Sequence, residues 1–347
     1  MKRWTRMTAA GIALALFAWT LFWMLAANRI TKRFDEWRAE QAAAGIAIGY
    51  ESFEVKGWPF GWRVTVANPS AKGAGAAAWE WSGERLVAYA DPRDLSHLAL
   101  RLPGTQKARF GSGDLAADLA LRAADPQGAI VFDEGGRIAR LDLEFEAAEL
   151  ASNFTSEPLA ARRLALTLAP HRPDNPTHAT DTLDVALRAN AVRLPVPAPA
   201  LAALGRDIAS LELDARVLGR IAGTKLAEAL ATWRDEGGTL DIRRLAVSWG
   251  ALYLTGDGTL ALDEQNRPMG AASARIAGYG ETIDALAQSG AIPPTAGALM
   301  KVAMNFLARI DPLSGNRQTV TVPVSAQDGV VSVERFKLFR VPPLKLD

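Results

Sequence analysis

Apolar residues alternate with polar or small residues along most of the chain after Gly45, and this alternation limits the fold more than any other feature. Successive side chains of a β-strand point to opposite faces, so a period of two predicts strands with one apolar and one polar face. The clearest runs are Trp62-x-Val64-x-Val66, Leu98-x-Leu100-x-Leu102, Leu141-x-Leu143-x-Phe145, Leu164-x-Leu166-x-Leu168, Leu183-x-Val185-x-Leu187 and Val320-x-Val322-x-Val324.

Short turn signals separate these runs, among them Asn68-Pro69, Gly135-Gly136 and Asp328-Gly329. Strands that follow one another through short turns form antiparallel meanders. The sequence therefore predicts a mainly β fold with a few helices, in meander sheets that are either curved or packed as a sandwich. After Gly45, helical spacing is confined to 224–233, 281–288 and 295–310. In the last segment we expect Thr295 to be the N-cap and one face to carry Leu299, Val302, Phe306 and Ile310.

Residues 7–27 form an uncharged apolar run with basic residues at both ends. A helix of this length crosses about 30 Å of hydrocarbon, so residues 1–28 are predicted to be a transmembrane signal anchor. A cleaved signal peptide is the alternative, but the end of the run lacks a small-x-small site. The chain has no cysteine, which excludes a lipoprotein anchor, disulfide bonds and thiolate metal sites.

Charge alone does not orient this anchor, because basic residues lie on both sides of it. A long domain can be exported regardless of its charge. We therefore expect a single-pass protein of the bacterial inner membrane with the bulk of the chain in the periplasm.

Three further segments follow the anchor. Residues 29–44 form an amphipathic pattern, which indicates either a helix that lies at the membrane surface or one that packs on the first strands. A Pro-rich stretch, 194–199, is the predicted hinge between a β-rich half at 45–192 and a β-rich half with helices at 200–347.

Residues for catalysis or metal binding are sparse. The net charge is +1 and no basic stripe with interleaved aromatics occurs, which argues against a nucleic-acid partner. The histidines are His97, His171 and His178, and the last two share a loop with Asp174 and Asp181. A metal would require these side chains to converge, and polar loops often hold them without a ligand. We expect no enzyme activity, catalytic residue, cofactor or metal.

Aromatic residues are concentrated early in the β-rich part. The cluster consists of Phe53, Trp58, Phe60, Trp62, Trp79 and Trp81, and residues 57–61 (Gly-Trp-Pro-Phe-Gly) predict a tight turn between two strands. One interpretation is that these rings close the open end of a curved sheet near the membrane. The other is that they line the mouth of an apolar groove that receives a lipid from the bilayer.

Several motifs together resemble a known family. They are Val55-x-Gly57-Trp-Pro-Phe60, Val66-x-Asn68-Pro69, Gly238-Thr-Leu-Asp-Ile-Arg-Arg-Leu-x-Val-x-Trp249, Gly256-x-Gly258-Thr-Leu-x-Leu-Asp263, Ala277-Gly278-Tyr279 and Pro342-Pro343-Leu344. With the preceding membrane helix they resemble the bacterial domain of unknown function 2125 family. The resemblance implies a protein anchored in a Gram-negative inner membrane and supplies no activity or catalytic residue. The layout is more loosely similar to AsmA-like envelope proteins, by fold analogy alone.

These observations favour a non-enzymatic protein that binds lipid or another apolar ligand in envelope biogenesis. Its expected partners are membrane lipid or another envelope protein. The alternative is a scaffold with a dry core that binds an envelope protein and has no ligand cavity. An acid–base enzyme using Asp133 and Glu134 is disfavoured, because adjacent strand residues point to opposite faces. The sequence leaves the ligand and the oligomeric state open.

Overall fold

The computed structural model describes residues 2–73, 78–111, 116–171, 182–195, 203–219, 226–311, 317–333 and 336–343. The chain begins with one continuous helix, α1 (Lys2–Ala43). Within it, Ala10–Ala43 contains a stretch long and apolar enough to cross a membrane. The predicted anchor and the predicted amphipathic segment are thus successive parts of a single helix, with no break between them.

The strands form one open antiparallel sheet. Its first ten strands are β1 (Ile46–Gly49), β2 (Ser52–Lys56), β3 (Trp62–Ala67), β4 (Ser70–Gly73), β5 (Trp79–Gly83), β6 (Arg85–Asp91), β7 (Asp94–Arg101), β8 (Gln106–Phe110), β9 (Ala117–Arg122) and β10 (Gln127–Phe132). The longer strands that follow are β11 (Ile138–Ser152), β12 (Leu159–His171), β13 (Thr182–Arg193), β14 (Asp207–Leu218), β15 (Thr239–Trp249), β16 (Leu252–Leu262) and β17 (Pro268–Ala277). The last four are β18 (Arg309–Asp311), β19 (Arg317–Gln327), β20 (Val330–Val333) and β21 (Phe336–Arg340). The predicted fold class is confirmed.

The short early strands are halves of bent strands. Their breaks line up across the sheet: the Asn68 amide donates to the Glu84 carbonyl at 3.0 Å, and Ala124 donates to Glu146 at 2.8 Å. On β11 the line reaches Ala147, which has a positive φ of 47°. We call this line of breaks the crease.

The crease divides the first ten strands into two arms. The first arm contains β2, β3, β6, β7 and β10, and the second contains β1, β4, β5, β8 and β9. Both arms end on β11, which pairs with β10 through its first half and with β9 through its last residues.

From β11 onward the strands pair in sequence order as far as β17, which then pairs with β19. Directly opposed residues share a face, and one row across five strands consists of Leu143, Leu166, Leu187, Leu213 and Leu245. The opposite face carries cross-strand ion pairs, including Arg188 with Asp214 and Arg216 with Asp184. The sheet therefore has the apolar and polar faces that the alternation predicts.

Helices α2 (Leu226–Asp235), α3 (Tyr279–Gln288) and α4 (Pro294–Leu307) correspond to the three predicted helical segments. The predicted end of the last helix is wrong. Ala308 is extended, and Arg309–Asp311 pairs with β19, because strand hydrogen bonds replace the next helical turn. Thr295 is not the N-cap either: Pro293 is, and no side chain caps the helix. Leu299, Val302 and Phe306 are exposed.

The predicted division into halves falls between β13 and β14. Residues 196–199 of the Pro-rich stretch, and residues 200–202 after it, lie outside the described residues. The two flanking strands pair from Thr182 with Leu218 to Arg193 with Asp207. The division into two halves stays a prediction.

Asp184 provides a test of the polar face. Arg216 donates to both of its carboxylate oxygens, at 2.6 and 2.8 Å, and this bonding holds the pKa of Asp184 below its usual value. A lowered folded-state pKa stabilises the fold above the unfolded pKa of about 3.9, and the gain disappears as the pH falls through the folded value. We expect Asp184→Asn to lower the free energy of unfolding by about 0.5–1 kcal/mol at pH 7 and by much less below about pH 4.

The measurement is urea unfolding of the full chain in mild detergent at both pH values. The matched control is Asp207→Asn, whose partner Arg193 is as solvent-exposed as Asp207 itself. We expect little change in this control. Equal stability of the two variants at pH 7 would contradict the assigned role of the Arg216–Asp184 pair.

Candidate functional site

Helix α1 is attached to the first arm by indole hydrogen bonds. Trp19 Nε1 donates to the Pro59 carbonyl and Trp23 Nε1 to the Gly61 carbonyl, both at 2.8 Å. Residues four apart lie on the same face of a helix, so both indoles reach the turn between β2 and β3. Trp62 Nε1 returns a longer bond of 3.5 Å to the Trp23 carbonyl. Helix and turn are thereby fixed in one relative position.

Aromatic contacts attach the helix a second time, three turns further along. The Phe34 ring stacks on Phe53 with a centroid distance of 4.5 Å, and Tyr50 lies 5.6 Å from Phe34. The Arg38 guanidinium lies over the Tyr50 ring at 5.4 Å. Aromatic pairs of this kind contribute about 0.5–1.5 kcal/mol each beyond the area they bury. Between the two attachments the helix stands away from the sheet.

The space between α1 and the first arm is an apolar groove with a volume of about 740 Å³. Strand alternation supplies its floor, because residues two apart on β3, β6, β7 and β10 all face the helix. The lining residues are Phe22, Ala26, Arg29, Ile30, Arg33, Phe34, Phe53, Trp62, Val64, Val66, Leu86, Ala88, Ala90, Leu95, Leu98, Leu100, Ile130 and Phe132.

Two charged residues, Arg29 and Arg33, stand at this groove, and both are exposed. Arg33 pairs with Glu36 at 3.2 Å. The remaining surface is made of aliphatic and aromatic side chains, which match an apolar ligand and offer no group for acid–base or nucleophilic chemistry.

The predicted site residues separate into three groups. Phe53 and Trp62 line the groove, and Trp62 is buried. Trp58 and Phe60 lie on the turn at the end of the groove, with 51% and 89% of their surface exposed. Trp79 and Trp81 lie on β5, in the second arm, and are not among the lining residues.

The second arm uses one of these rings for packing. The Trp79 indole lies over Gly73 of the neighbouring strand and leaves no room there for a Cβ atom. The six aromatic residues are therefore close in sequence, but the crease divides them between the two arms. Their assignment as a groove mouth stays a prediction.

Sequence reasoning identified only the second half of the helical wall of the groove, as the apolar face of the pattern at 29–44. Phe22, Ala26, Ile30 and Phe34 are spaced four apart and all line it. This spacing is visible in the sequence, but it crosses the expected boundary between the anchor and the amphipathic segment. The lining residues from β7 and β10 carried no signal that placed them at the site, because they reach it only through sheet pairing.

Two of the polar residues considered in the sequence, Asp133 and His97, form local hydrogen bonds or ion pairs in the structure. Asp133 accepts hydrogen bonds from the Arg137 amide and from Arg137 Nε, at 2.9 and 3.0 Å. These bonds, and most of all the bond from the backbone amide, hold the pKa of Asp133 below its usual value. His97 Nδ1 lies 2.7 Å from an Asp94 carboxylate oxygen on the exposed side of β7. His178, Asp174 and Asp181 lie outside the described residues. Among the residues that are described, no group of three or more His, Asp or Glu side chains could hold a metal ion.

The fold and the groove define a class of protein: an open antiparallel sheet whose first arm packs on one long, apolar N-terminal helix. The chain belongs to a family described as uncharacterized proteins conserved in bacteria, DUF2125, whose family model matches residues 23–342. The predicted family is confirmed. Neither the curated proteins nor the solved structures give a match to this chain. The looser similarity to AsmA-like proteins stays a prediction.

The indole bonds can be tested by replacing Trp23 with Phe. The part-buried Gly61 carbonyl then loses its donor, and a buried acceptor without a partner costs about 1–3 kcal/mol. We expect faster amide hydrogen exchange in residues 57–63 of the full chain in detergent. Trp37→Phe is the control, because Trp37 is 43% exposed and lies on the same helix, after the part that bonds to residues 57–61. Identical exchange at the turn in both variants would show that the helix is held there by other contacts.

Proposed function

We propose that this protein is anchored in the bacterial inner membrane by residues 7–27 and binds a lipid, or another apolar ligand, in the groove between α1 and the first arm. No catalytic step is required for this role. The observation that carries the proposal is the groove itself: about 740 Å³ of space with an almost wholly apolar lining, one wall of which is the anchor helix.

The size and chemistry of the groove support an acyl-chain ligand. Its volume lies within the range of about 300–1,000 Å³ that is usual for small-molecule sites. Each methylene group moved from water into such a lining gains about 0.8 kcal/mol, so a chain of several methylenes provides substantial affinity. Arg29 and Arg33 stand where the polar end of such a ligand would meet water.

The apolar surface also continues beyond the groove. Ile130 on the groove floor is directly opposite Leu141 on β11, and Leu141 is opposite Leu168 on β12. Leu168 in turn is opposite Val185 on β13. Directly opposed residues share a face, so a ligand that leaves the groove meets further apolar side chains on the same side of the sheet.

Filling the groove tests the proposal. Ala90 and Ala99 lie on neighbouring strands, but only Ala90 faces the groove, whereas Ala99 is exposed on the opposite face. We expect Ala90→Phe to reduce co-purified lipid several-fold, because the added ring occupies the ligand's space. Ala99→Phe adds the same ring and should leave lipid unchanged. The measurement is native mass spectrometry with lipid extraction on the full chain in mild detergent.

Two results would count against lipid binding. Stoichiometric lipid in the Ala90→Phe protein would move the ligand away from the groove. A wild-type protein without lipid under mild conditions would favour the alternative role, a scaffold that binds another envelope protein.

The proposed location has its own test. With the carboxyl part in the periplasm, protease added to intact spheroplasts should digest the chain beyond α1 and leave a protected N-terminal fragment. A cytoplasmic protein of the same cells serves as the integrity control and should stay intact. Full protection of the carboxyl end, with digestion only after lysis, would reverse the orientation.

A further inference from the structure

The turn between β2 and β3, residues 57–61, is fixed to the helix at a depth that the helix itself defines. Its Pro59 and Gly61 carbonyls accept the indole bonds of Trp19 and Trp23. Both tryptophans lie inside the uncharged run of residues 7–27. The position of this run in a bilayer therefore determines the position of the turn.

The length of the run leaves little freedom in that position. At 1.5 Å per residue, residues 7–27 span about 31 Å, close to the hydrocarbon thickness of about 30 Å. Residues 7–18, which precede the first indole bond, span only about 18 Å. Moving the helix so that the turn stood clear of the membrane would draw Lys2, Arg3 and Arg6 toward hydrocarbon. A charge at the centre of a bilayer costs at least about 2.5–3.5 kcal/mol.

With residues 7–27 in the hydrocarbon, Trp23 lies about 6 Å and Trp19 about 12 Å below the end of the run. The bonded carbonyls of the turn then lie at about the same depth. This is the leaflet on the side of the β-sheet, whichever side of the cell that is.

Several backbone groups of the turn are paired, as such a depth requires. Backbone groups in hydrocarbon must be paired, because water is absent there. The amides of Phe60 and Gly61 both donate to the Gly57 carbonyl, at 3.1 and 3.2 Å, and proline has no amide hydrogen. The Pro59 and Gly61 carbonyls are satisfied by the two indoles. Side chains of the helix thus satisfy two carbonyls of the turn.

The exposed side chains of the turn are the second observation. Trp58 is 51% exposed and Phe60 is 89% exposed, although both are large aromatic residues. Phe17 of the apolar helix, two residues before the Trp19 that bonds to the turn, is also exposed, at 66%. Exposed aromatic side chains therefore occur both on the apolar helix and on the turn that is bonded to it.

We infer that residues 57–61 are inserted into the bilayer leaflet on the side of the sheet, with Trp58 and Phe60 among the lipid acyl chains. The partner of this surface is the membrane lipid itself. The inference rests on the proposed membrane anchor and does not depend on a ligand in the groove.

The absence of cysteine from the natural chain makes single-cysteine labelling a direct test. Three matched variants are Phe17→Cys in the helix, Phe60→Cys in the turn and Phe154→Cys between β11 and β12, since the replaced side chains are 66%, 89% and 64% exposed. The full-length proteins carry an environment-sensitive fluorophore and are reconstituted in phosphatidylcholine vesicles. A fraction of the lipid bears a nitroxide quencher on its acyl chains.

We expect the labels at positions 17 and 60 to lose most of their emission to the quencher, and the label at position 154 to keep its emission. Quenching at 17 without quenching at 60 would overturn the inserted turn and leave the anchor standing. Loss of quenching at both positions would refute the anchor and the inserted turn together. Equal quenching at all three would also overturn the inference, because the whole sheet would then lie on the membrane.

Discussion

An open sheet with one apolar face needs a cover, and in the first arm that cover is helix α1. The need follows from the period of two in the strands, which places Trp62, Val64 and Val66 on the same side. The helix meets this side at two places, through the Trp19 and Trp23 indoles and through Phe34. Because it stands off the sheet between them, the cover is incomplete, and the apolar groove is the result.

The strands and the choice of their faces could be read from the sequence, because each depends only on local alternation. The leucine row from Leu143 to Leu245 lies on one face as this pattern requires. The crease could not be predicted. It passes through Ala147 and Ala191, whose positive φ values of 47° and 49° occur in residues that rarely adopt them. Pairing of the residues on either side, not local preference, holds them there, and strand pairing also ends α4 before Ile310.

Only some of the residues that line the groove could be predicted from the sequence. Phe53 and Trp62 belong to the aromatic cluster in the sequence, and both line the groove. Trp79 and Trp81 belonged to the same sequence cluster, yet β5 lies beyond the crease in the second arm. The opposite wall consists of residues spaced four apart on α1, such as Phe22 and Ile30. Dividing the helix at residue 28 concealed this stripe, since each part alone shows only a fragment of it.

Because α1 is continuous and contacts the sheet, its apolar segment cannot be exchanged independently of the rest of the protein. In many single-pass proteins the membrane segment is an interchangeable tether, and any sufficiently apolar sequence serves. Here the segment also supplies two hydrogen-bond donors and one wall of a groove, with a fixed rotation about the helix axis. Another helix of equal hydrophobicity in its place would not restore that geometry. One residue inserted between Trp23 and Phe34 would rotate one contact point about the helix axis by about 100° relative to the other. Helix α1 and the sheet are therefore one folding unit.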